Sequence, residues 1–380
     1  MHFGFNEDQL AMREATMRVF SDMSSDQKLK QLTNTRAASS MHTELWSQLA
    51  DMGILGLVID EAYGGMGMSL LELCLVLEQQ GRTVAPVPLL ATIVESAMTI
   101  AAGDNEPLKQ EILPKVIAGD SLLSPCGSYA GIQSVDALWL ASDAEGVVLS
   151  GRSGFASYAG LADGFVVSGL DANDQNIIVY LPANAEGLSV VEQVAINDEP
   201  AGYLVFENCK ANASNIIARG ELAAGLVEQQ NHRAWVAQGA MQTGILDEGL
   251  KRAAEYVSER KQFGKALGSF QAVSQQAANA YMEIESLRST YWRALDDLEQ
   301  GNDLALSASV LKYWVGIASH NAAHAFLHLH GGIGQDLDYP LHRYFLWAKQ
   351  NERYLGAPDK LASIVGDEVI NKFDDVIGAG

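Results

Sequence analysis

One cationic and aromatic run in the sequence has residue types that suit a phosphate-bearing ligand. Arg260-Lys261-Gln262-Phe263-Gly264 follows a long segment with helical periodicity. A guanidinium presents several N–H donors in one plane, so Arg260 could grip the oxygens of a diphosphate. Cations in the last turn of a helix also stabilise the negative end of the helix dipole without any ligand. The run therefore indicates either a diphosphate site or a charged helix end.

A glycine-rich turn further along could bring the backbone close to a nucleotide. Gly331-Gly332-Ile333-Gly334 follows His330, and glycine permits the close approach that phosphate sites require. The dinucleotide-binding fingerprint needs a strand before the turn, whereas this turn follows a helical segment. By itself the turn is a weak indication of a nucleotide site.

Histidines recur in the helical segment before that turn. His320, His324 and His328 are four residues apart, and imidazoles at that spacing can share a metal ion. No acidic residue lies between Asn321 and Gln335 to complete a hydrolase-like site. We therefore predict a histidine-lined helix face and no metal.

Small side chains are frequent in the helical segment that leads to Arg260. They permit the close approach of a second helix or of a flat ligand, and we favour helix packing. The residues concerned are Ala237, Gly239, Ala240 and Gly244.

Three regions of different texture must position these motifs. The pattern is helical from Phe5 to about Ala118, with Asn6 as the predicted N-cap of the first helix. Short β-rich runs separated by Gly, Asp and Asn follow, as in an antiparallel sandwich or barrel. The helical pattern returns after Leu222. We predict a multidomain α+β protein with a helical domain at 1–120, a middle antiparallel β-domain at 121–222 and a helical domain at 223–380.

Composition excludes several classes of protein. Among 380 residues, 25 Lys and Arg face 47 Asp and Glu, which gives a net charge of −22. That charge argues against nucleic acid or an anionic membrane as a partner, because both are polyanions. The first ten residues show no secretory signal, and the most apolar stretch is too short to span a bilayer. Scattered cysteines without CxxC spacing indicate reduced thiols and a cytoplasmic protein: Cys74, Cys126 and Cys209.

Four segments, taken in order, resemble signatures of the acyl-CoA dehydrogenase family. They are EAYGGMGMSLLELCLVLEQQGR, GRSGFASYAGLADGFVV, YVSERKQFGKALGSFQAV and HLHGGIGQDLDYPLHRY. The resemblance covers essentially the whole chain. It implies an N-terminal helical domain, a middle β-domain and a C-terminal four-helix bundle.

The resemblance implies a flavoenzyme that oxidises an acyl-CoA thioester to trans-2-enoyl-CoA. In this family a desolvated carboxylate removes the weakly acidic α-proton, and hydrogen-bond donors stabilise the enolate oxygen. The implied cofactor is FAD, which takes up the β-hydride. The implied electron acceptor is electron-transfer flavoprotein.

The resemblance also assigns roles to the motifs described above. Arg260 and Phe263 would contact FAD that is bound mainly by a neighbouring subunit, with Arg260 at the diphosphate. Gln271 and the turn at Gly331 and Gly332 would hold the adenosine and diphosphate end. The chain is therefore expected to be at least dimeric, and the predicted assembly is a tetramer, either a heterotetramer with a paralogous subunit or a homomer.

The flavin-stacking region matches the family only in part. Phe155 and Ser157 occupy places where the family usually has an aromatic–Ile–Thr trio against the isoalloxazine. Phe155 could instead belong to the core, and Ser157 could be a turn hydroxyl. The family's Thr-Glu-Pro…Gly-Ser-Asp stretch is replaced by SPCGSY at 124–129. Backbone amides could still reach the flavin there, but the usual hydroxyl and acidic groups are missing.

A carboxylate is missing from both positions where the family places its base. The usual Tyr-Glu-Gly-Thr-like segment reads YLGA at 354–357, so Leu355 stands at the carboxylate position. In a minority of members the base precedes an Arg at the start of the first C-terminal helix, and here His232 precedes Arg233. His232 is therefore the candidate catalytic residue, and Arg233 is a candidate substrate-binding residue.

Three hypotheses follow for the function. In the first, the chain is a small subunit of a heteromeric acyl-CoA dehydrogenase for bulky or dicarboxylic acyl-CoAs, such as steroid side-chain substrates. A paralogous partner would then supply the carboxylate. In the second, the chain is a self-sufficient flavoenzyme with His232 as base, since a neutral imidazole accepts a proton near pH 7. In the third, it is a non-enzymatic scaffold or binding protein with the same fold.

Overall fold

The first helix of the computed structural model, which describes residues 4–33, 41–127, 138–142, 146–171 and 173–371, begins at a capping box. The side-chain oxygen of Asn6 accepts a hydrogen bond from the backbone N–H of Gln9 at 2.8 Å. The backbone N–H of Asn6 donates to the Gln9 side chain at 3.0 Å. Two N–H groups that a helix start leaves unpaired are thereby satisfied. The predicted N-cap at Asn6 is confirmed.

The N-terminal part of the chain is helical, as predicted. Its α-helices are α1 (Glu7–Met23), α2 (Asp26–Thr33), α3 (Thr43–Asp51), α4 (Leu70–Thr83), α5 (Met98–Ala102) and α6 (Glu106–Ile117). A π-helix, Leu89–Ala97, is buried along its whole length and leads directly into α5. Because π-helical turns are rare and frequently mark functional sites, this segment is relevant to the site described below.

The middle part of the chain contains the strands. They are β1 (Leu123–Cys126), β2 (Leu138–Ser142), β3 (Gly146–Arg152), β4 (Ala156–Ser157), β5 (Gly164–Leu170), β6 (Asn176–Pro182), β7 (Leu188–Val194), β8 (Pro200–Asn212) and β9 (Ile216–Arg219). One sheet has the order β1-β5-β6-β9. The other has the order β2-β3-β8-β4, with β7 also paired to β8.

The two sheets enclose one core. Alternate residues of their strands enter it, among them Val147, Leu149, Phe165, Val167, Ile177, Val179, Leu204 and Phe206. The predicted β-domain is confirmed, with one difference in strand direction. β1 pairs with β5 in parallel, from Leu123 opposite Gly164 to Cys126 opposite Val167. A parallel pair needs a long connection, which β2 to β4 provide here.

The C-terminal part returns to helix: α7 (Gly220–Glu259), α8 (Gln271–Glu299), α9 (Ala305–His330), α10 (Leu341–Arg353) and α11 (Pro358–Asn371). α9 packs against α8, α10 and α11, and most of its residues are buried. Lys312 of α9 is also buried, and its Nζ donates to the carbonyl oxygen of Asn351 at 2.7 Å. That carbonyl lies in the last turn of α10, where helical partners run out. Burial lowers the pKa of Lys312 to about 7.

Compactness divides the chain into two units. One unit comprises Met1–Gln31, Cys74–Ala85 and Trp235–Gly380, and the other comprises Leu32–Leu73 and Pro86–Ala234. The three domain ranges expected from the sequence stay a prediction. Within the described ranges, no helix has the length and apolar character needed to cross a membrane.

Helices α4 and α7 meet backbone to backbone. A Cβ atom on Gly244 of α7 would lie 2.1 Å from the carbonyl oxygen of Glu78. One on Gly81 of α4 would lie 2.1 Å from the carbonyl oxygen of Met241. Real Cβ atoms essentially never approach closer than 3.0 Å, so both positions require glycine. At Gly244, the small residue serves helix packing.

Charged side chains surround this helix contact. Asp247 of α7 accepts hydrogen bonds from Arg82 of α4 and from Arg288 of α8, each at 2.7 Å. Arg82 also donates to Glu78 at 2.8 Å. Because each guanidinium has a carboxylate partner, these partly buried charges are compensated and hold three helices together.

We expect Gly244→Ala to lower the free energy of unfolding by about 1–3 kcal/mol, because the added methyl group must displace the α4 backbone. The matched control is Gly225→Ala in the same helix, where a Cβ would meet no atom within 4 Å. Alanine at that position should raise the free energy of unfolding by about 0.5–1 kcal/mol. Urea unfolding of the three proteins measures both effects. An unchanged Gly244→Ala protein would show that α4 and α7 can separate without cost.

Candidate active site

The cationic run forms a small hairpin directly after α7. Strands β10 (Lys261–Gln262) and β11 (Lys265–Ala266) pair around the two-residue turn Phe263-Gly264. Both turn residues have positive φ, 52° for Phe263 and 80° for Gly264, which favours glycine or asparagine rather than an aromatic residue. The Phe263 ring is nevertheless 92% exposed. An aromatic ring that stays almost fully exposed on a disfavoured backbone conformation contributes little to the core of its own chain, which suggests a ligand or a partner for it.

Arg260 and Gln271 flank this hairpin. Arg260 is exposed, and its carbonyl oxygen accepts the backbone N–H of Leu267 at 2.8 Å, which closes the base of the hairpin. Gln271 is the first residue of α8 and is also exposed. Phe270, which precedes it, meets the Phe263 ring edge to face at 6.2 Å. The structure therefore brings Arg260, Phe263 and Gln271 together.

A buried aromatic stack connects the glycine turn to the same region. The His330 ring stacks on Tyr256, one turn before Arg260, with ring centroids 4.6 Å apart. Nδ1 of His330 donates to the carbonyl oxygen of Phe326 at 2.9 Å, and the Tyr339 hydroxyl donates to Nε2 at 3.1 Å. Burial lowers the pKa of His330, which favours this neutral form. His330 therefore has a structural role at the end of α9.

Gly331 and Gly332 present their backbone to open space. Gly331 has φ 64°, and a Cβ on either glycine would meet no atom within 4 Å. Both glycines border an open groove of about 940 Å³ between α8 and α9. A ligand in this groove could approach the backbone of the turn directly.

The histidine row lines that groove. Nδ1 of His324 donates to the carbonyl oxygen of His320 at 2.6 Å, and Nδ1 of His328 donates to the side-chain oxygen of Gln276 at 3.0 Å. Among the residues that the structure describes, no group of three or more His, Cys, Asp or Glu is placed to hold a metal ion. The row supplies polar groups to the groove wall.

The second set of predicted contacts lies on β4. Ser157 pairs with Ala201 of β8, and its carbonyl oxygen accepts the Ser124 hydroxyl at 2.6 Å. The neighbouring Phe155 is 38% exposed and stands outside the core that the two sheets share. An exposed aromatic ring beside a short strand could stack on a flat ligand.

Residues 124–126, which begin the stretch where the resemblance places the family's usual flavin contacts, are buried residues of β1. Ser124 is fully buried, and its hydroxyl is used by β4. A Cβ on Gly127 would lie 1.9 Å from Oγ of Ser168, so this glycine lets the loop pass close to β5. The remaining residues of the predicted stretch, 128 and 129, lie outside the described residues. The Ser124 hydroxyl therefore offers no contact to a ligand here.

The segment with the missing carboxylate is held by α7. Leu355 is buried and has φ 64°. Its carbonyl oxygen accepts Nε1 of Trp235 at 2.9 Å, and the Tyr354 carbonyl oxygen accepts Nε2 of Gln238 at 3.3 Å. The structure thus keeps a firmly positioned loop but gives it an apolar side chain. The two anchors on α7 were not predicted, because nothing in the sequence near Trp235 indicates a partner some 120 residues away.

The other candidate position lies in the second compact unit. Nη2 of Arg233 donates to Oγ1 of Thr99 at 3.5 Å, and Thr99 in turn donates to the carbonyl oxygen of Glu95 at 2.8 Å. Gln230 donates to the same carbonyl oxygen at 2.9 Å, so the π-helix and the start of α7 are joined. His232, which is partly buried, stands beside Arg233.

Arg233 is a poorly compensated cation. Burial lowers the pKa of its guanidinium to about 10. Its Nε is buried and finds no hydrogen-bond partner within the described ranges. A buried charge of this kind is costly unless an anion approaches it. The geometry therefore suits an anionic or strongly polar ligand group at Arg233.

Family models match most of the chain. The model of the acyl-CoA dehydrogenase N-terminal domain matches residues 6–120, and that of the C-terminal domain matches residues 227–370. The acyl-CoA dehydrogenase FadE27 of Mycobacterium tuberculosis is 31% identical over 335 residues, which are 86% of this chain and 88% of FadE27.

Solved structures agree with these matches. A chain of the ChsE4-ChsE5 complex from Mycobacterium tuberculosis aligns with a TM-score of 0.90 and 27% identity, over 97% of this chain and 99% of that one. A variant of the Tcur3481-Tcur3483 steroid ACAD aligns with a TM-score of 0.88 and 32% identity, over the same shares.

The resemblance and the fold class predicted from the sequence are therefore confirmed. Both family domains occur in their usual order, and the relatives align over nearly their whole length. The reaction of the family is the FAD-dependent dehydrogenation of acyl-CoA thioesters. The chain belongs to the acyl-CoA dehydrogenase family.

Proposed function

We propose that this chain is one subunit of a heteromeric acyl-CoA dehydrogenase, and that a paralogous chain supplies the catalytic base. The observation that carries this proposal is Leu355. Its loop is anchored by Trp235 and Gln238, yet its side chain is a buried alkyl group that cannot accept a proton. A base on a second chain would remove the α-proton that Leu355 cannot take up.

Relatives of this chain support the heteromer and suggest a substrate class. One structural neighbour is a ChsE4-ChsE5 complex, and another is a steroid ACAD. We propose an acyl-CoA with a bulky acyl chain, of the steroid side-chain type. Arg233 would face a polar or anionic group of this substrate, since its guanidinium lacks a carboxylate partner among the described residues.

Exposed residues of the C-terminal helical part of the chain are suited to binding FAD. Arg260 would bind the diphosphate of a cofactor held mainly by the neighbouring subunit, and Phe263 would pack against that cofactor. Gln271 and the open backbone of Gly331 and Gly332 would hold its adenosine and diphosphate end. Phe155, which directly precedes β4, and Ser157 of β4 would face the isoalloxazine. When bound, FAD supplies the acceptor for the β-hydride.

A second candidate function keeps catalysis within this chain, with His232 as the base. The observation in its favour is that His232 lies beside Arg233 at the start of α7, where the second type of family base is expected. A third candidate, a non-enzymatic scaffold or CoA-ester binding protein, would carry no FAD and would have no dehydrogenase activity. Absorbance in the flavin bands, measured for the chain alone and with its co-expressed paralogue, separates the three. If the chain is a subunit of a heteromer, yellow and active protein should be obtained only when the paralogue is co-expressed.

The cellular setting is part of the proposal. We propose electron-transfer flavoprotein as the electron acceptor and the cytoplasm as the location. The three cysteines are buried free thiols, and free thiols are usual in a reducing compartment. Reduction of purified electron-transfer flavoprotein by the complex in the presence of substrate would test the acceptor.

In the assembled complex, we expect His232→Ala to change turnover only slightly, whereas replacement of the partner's catalytic carboxylate should abolish it. If His232 were the base, its loss should lower turnover by roughly 10²–10⁴-fold, the usual size of a general-base contribution. Steady-state turnover of the two variant complexes decides between the hypotheses. A His232→Ala complex that binds flavin normally but loses nearly all turnover would contradict the heteromer with a base in the partner.

We expect Arg260→Ala to weaken FAD binding by about 10- to 150-fold, because a charge-assisted hydrogen bond contributes roughly 1.5–3 kcal/mol. Arg18→Ala is the matched control, since Arg18 is an exposed helical arginine whose partner is Glu14. Flavin retention on dilution, followed by fluorescence, measures the effect for both variants. Equal retention in wild type and Arg260→Ala would mean that Arg260 is only a helix-end cation.

A further inference from the structure

Tyr158, the residue after Ser157, has a backbone conformation that tyrosine seldom adopts. Its φ of 57° and ψ of 23° lie in the left-handed region. Side chains with a Cβ are disfavoured in this region, and Asn, Asp and Gly occupy it most readily. Such strain persists only where surrounding contacts enforce it, and it is frequent at functional sites.

Three hydrogen bonds link Tyr158 and Glu199 to each other and to the residues around them. The Tyr158 hydroxyl donates to Oε1 of Glu199 at 2.7 Å, and Nδ2 of Asn197 donates to Oε2 of the same carboxylate at 2.7 Å. The Tyr158 backbone N–H donates to the carbonyl oxygen of Pro200, also at 2.7 Å. Tyr158 is buried, with only 3% of the residue exposed. Both carboxylate oxygens of Glu199 therefore serve as acceptors.

These contacts fasten β4 to the connection between β7 and β8. Asn197 and Glu199 lie in that connection, and Pro200 begins β8. β4 itself has two residues, Ala156 and Ser157, and its ladder with β8 has two pairs. So short a ladder constrains the strand weakly, and side-chain contacts at its end must define its position.

We propose that Tyr158, Glu199 and Asn197 form a positioning clamp that sets β4, and through it Phe155 and Ser157, for FAD binding. This inference rests on the proposed function, because the role of β4 toward FAD belongs to that proposal. The clamp residues themselves do not touch the cofactor. They act through the strand, so they are positioning residues.

The clamp should respond to pH. Burial raises the pKa of Glu199 to about 7, although hydrogen bonds from Tyr158 and Asn197 oppose the rise. Ionised Glu199 accepts both donors. Once protonated, Glu199 can still bond both partners, because the Tyr158 hydroxyl accepts as well as donates, but the two bonds lose their charge assistance and become weaker. FAD binding should therefore weaken as the pH falls from 8 to 6.

Few other titratable groups face this carboxylate. One of them is Tyr158, and burial raises the pKa of its hydroxyl well above the ordinary value. Asp198 follows Asn197 in the same connection, and Glu192 of β7 lies close to Gly160, two residues after Tyr158. Among the described residues, no cation forms an ion pair with Glu199. No positive charge in an ion pair with Glu199 therefore counteracts the rise of its pKa.

The test measures the dissociation constant of FAD by fluorescence at pH 6, 7 and 8, on the chain with its co-expressed paralogue. Wild type should bind FAD more weakly at pH 6 than at pH 8. Tyr158→Phe and Glu199→Gln should bind it about 2- to 12-fold more weakly at pH 8, the effect of one net hydrogen bond, and should lose most of the pH dependence. Tyr180→Phe, which removes a hydroxyl from β6 of the same domain, should behave like wild type.

Each outcome bears on one proposal. If wild type binds no FAD at any of these pH values, the proposed function fails before the clamp is tested. If wild type binds FAD and both variants bind it with the same affinity and pH profile, the clamp is wrong while the proposed function stands. Thermal melting shows that the variants are folded. Lower melting temperatures with unchanged FAD binding would also contradict the clamp, because a purely structural hydrogen bond predicts that result.

Discussion

Backbone contact between α4 and α7 is the constraint on which the C-terminal part of the site depends. Because Gly81 and Gly244 leave no space for a side chain, the position of α7 against α4 is defined closely. α7 then carries the groups that organise its surroundings: Trp235 at the loop with Leu355, Asp247 between two arginines, Tyr256 against His330, and Arg260 at the hairpin. A shift of one helix would disturb all of them.

The loop around Leu355 has an anchored backbone but no side chain that could act as a base. Its backbone is anchored through hydrogen bonds from Trp235 and Gln238. The side chain at the position where the resemblance places the family's carboxylate is nevertheless an alkyl group. A carboxylate there would have to be desolvated, and a buried charge without a compensating partner is unfavourable. Leucine avoids that cost, which is consistent with our proposal that a partner chain performs the proton transfer.

In the β-domain, two energetically unfavourable features are kept beside a candidate ligand-binding strand. Tyr158 occupies a disfavoured backbone region, and Glu199 is a carboxyl group whose pKa is raised by burial. Both features are unfavourable when considered alone. Together they form one hydrogen-bonded group at the end of the shortest strand of the sheet, directly after Ser157. Unfavourable terms that meet at one place beside a candidate ligand-binding strand are typical of functional sites rather than of core packing.

Local signals were sufficient for much of the fold and for the candidate residues. The cap at Asn6, the β-rich runs of β5 and β6 and the end of α7 before Arg260 depend on residues a few positions apart, so the sequence alone predicted them. Family motifs are also contiguous. They identified Arg260, the glycine turn and the apolar residue at the carboxylate position without any knowledge of packing.

Pairings between distant segments were decided only by the tertiary structure. Nothing near Gly244 indicates that a carbonyl oxygen of α4 lies against it, and nothing near Trp235 indicates the Leu355 carbonyl. The parallel pairing of β1 with β5 and the contact of Tyr158 with Glu199 are of the same kind. Residue type and periodicity determine which face of an element is buried, because that depends on local geometry. Which partner meets that face depends on how the whole chain packs, and many partners satisfy the same local pattern.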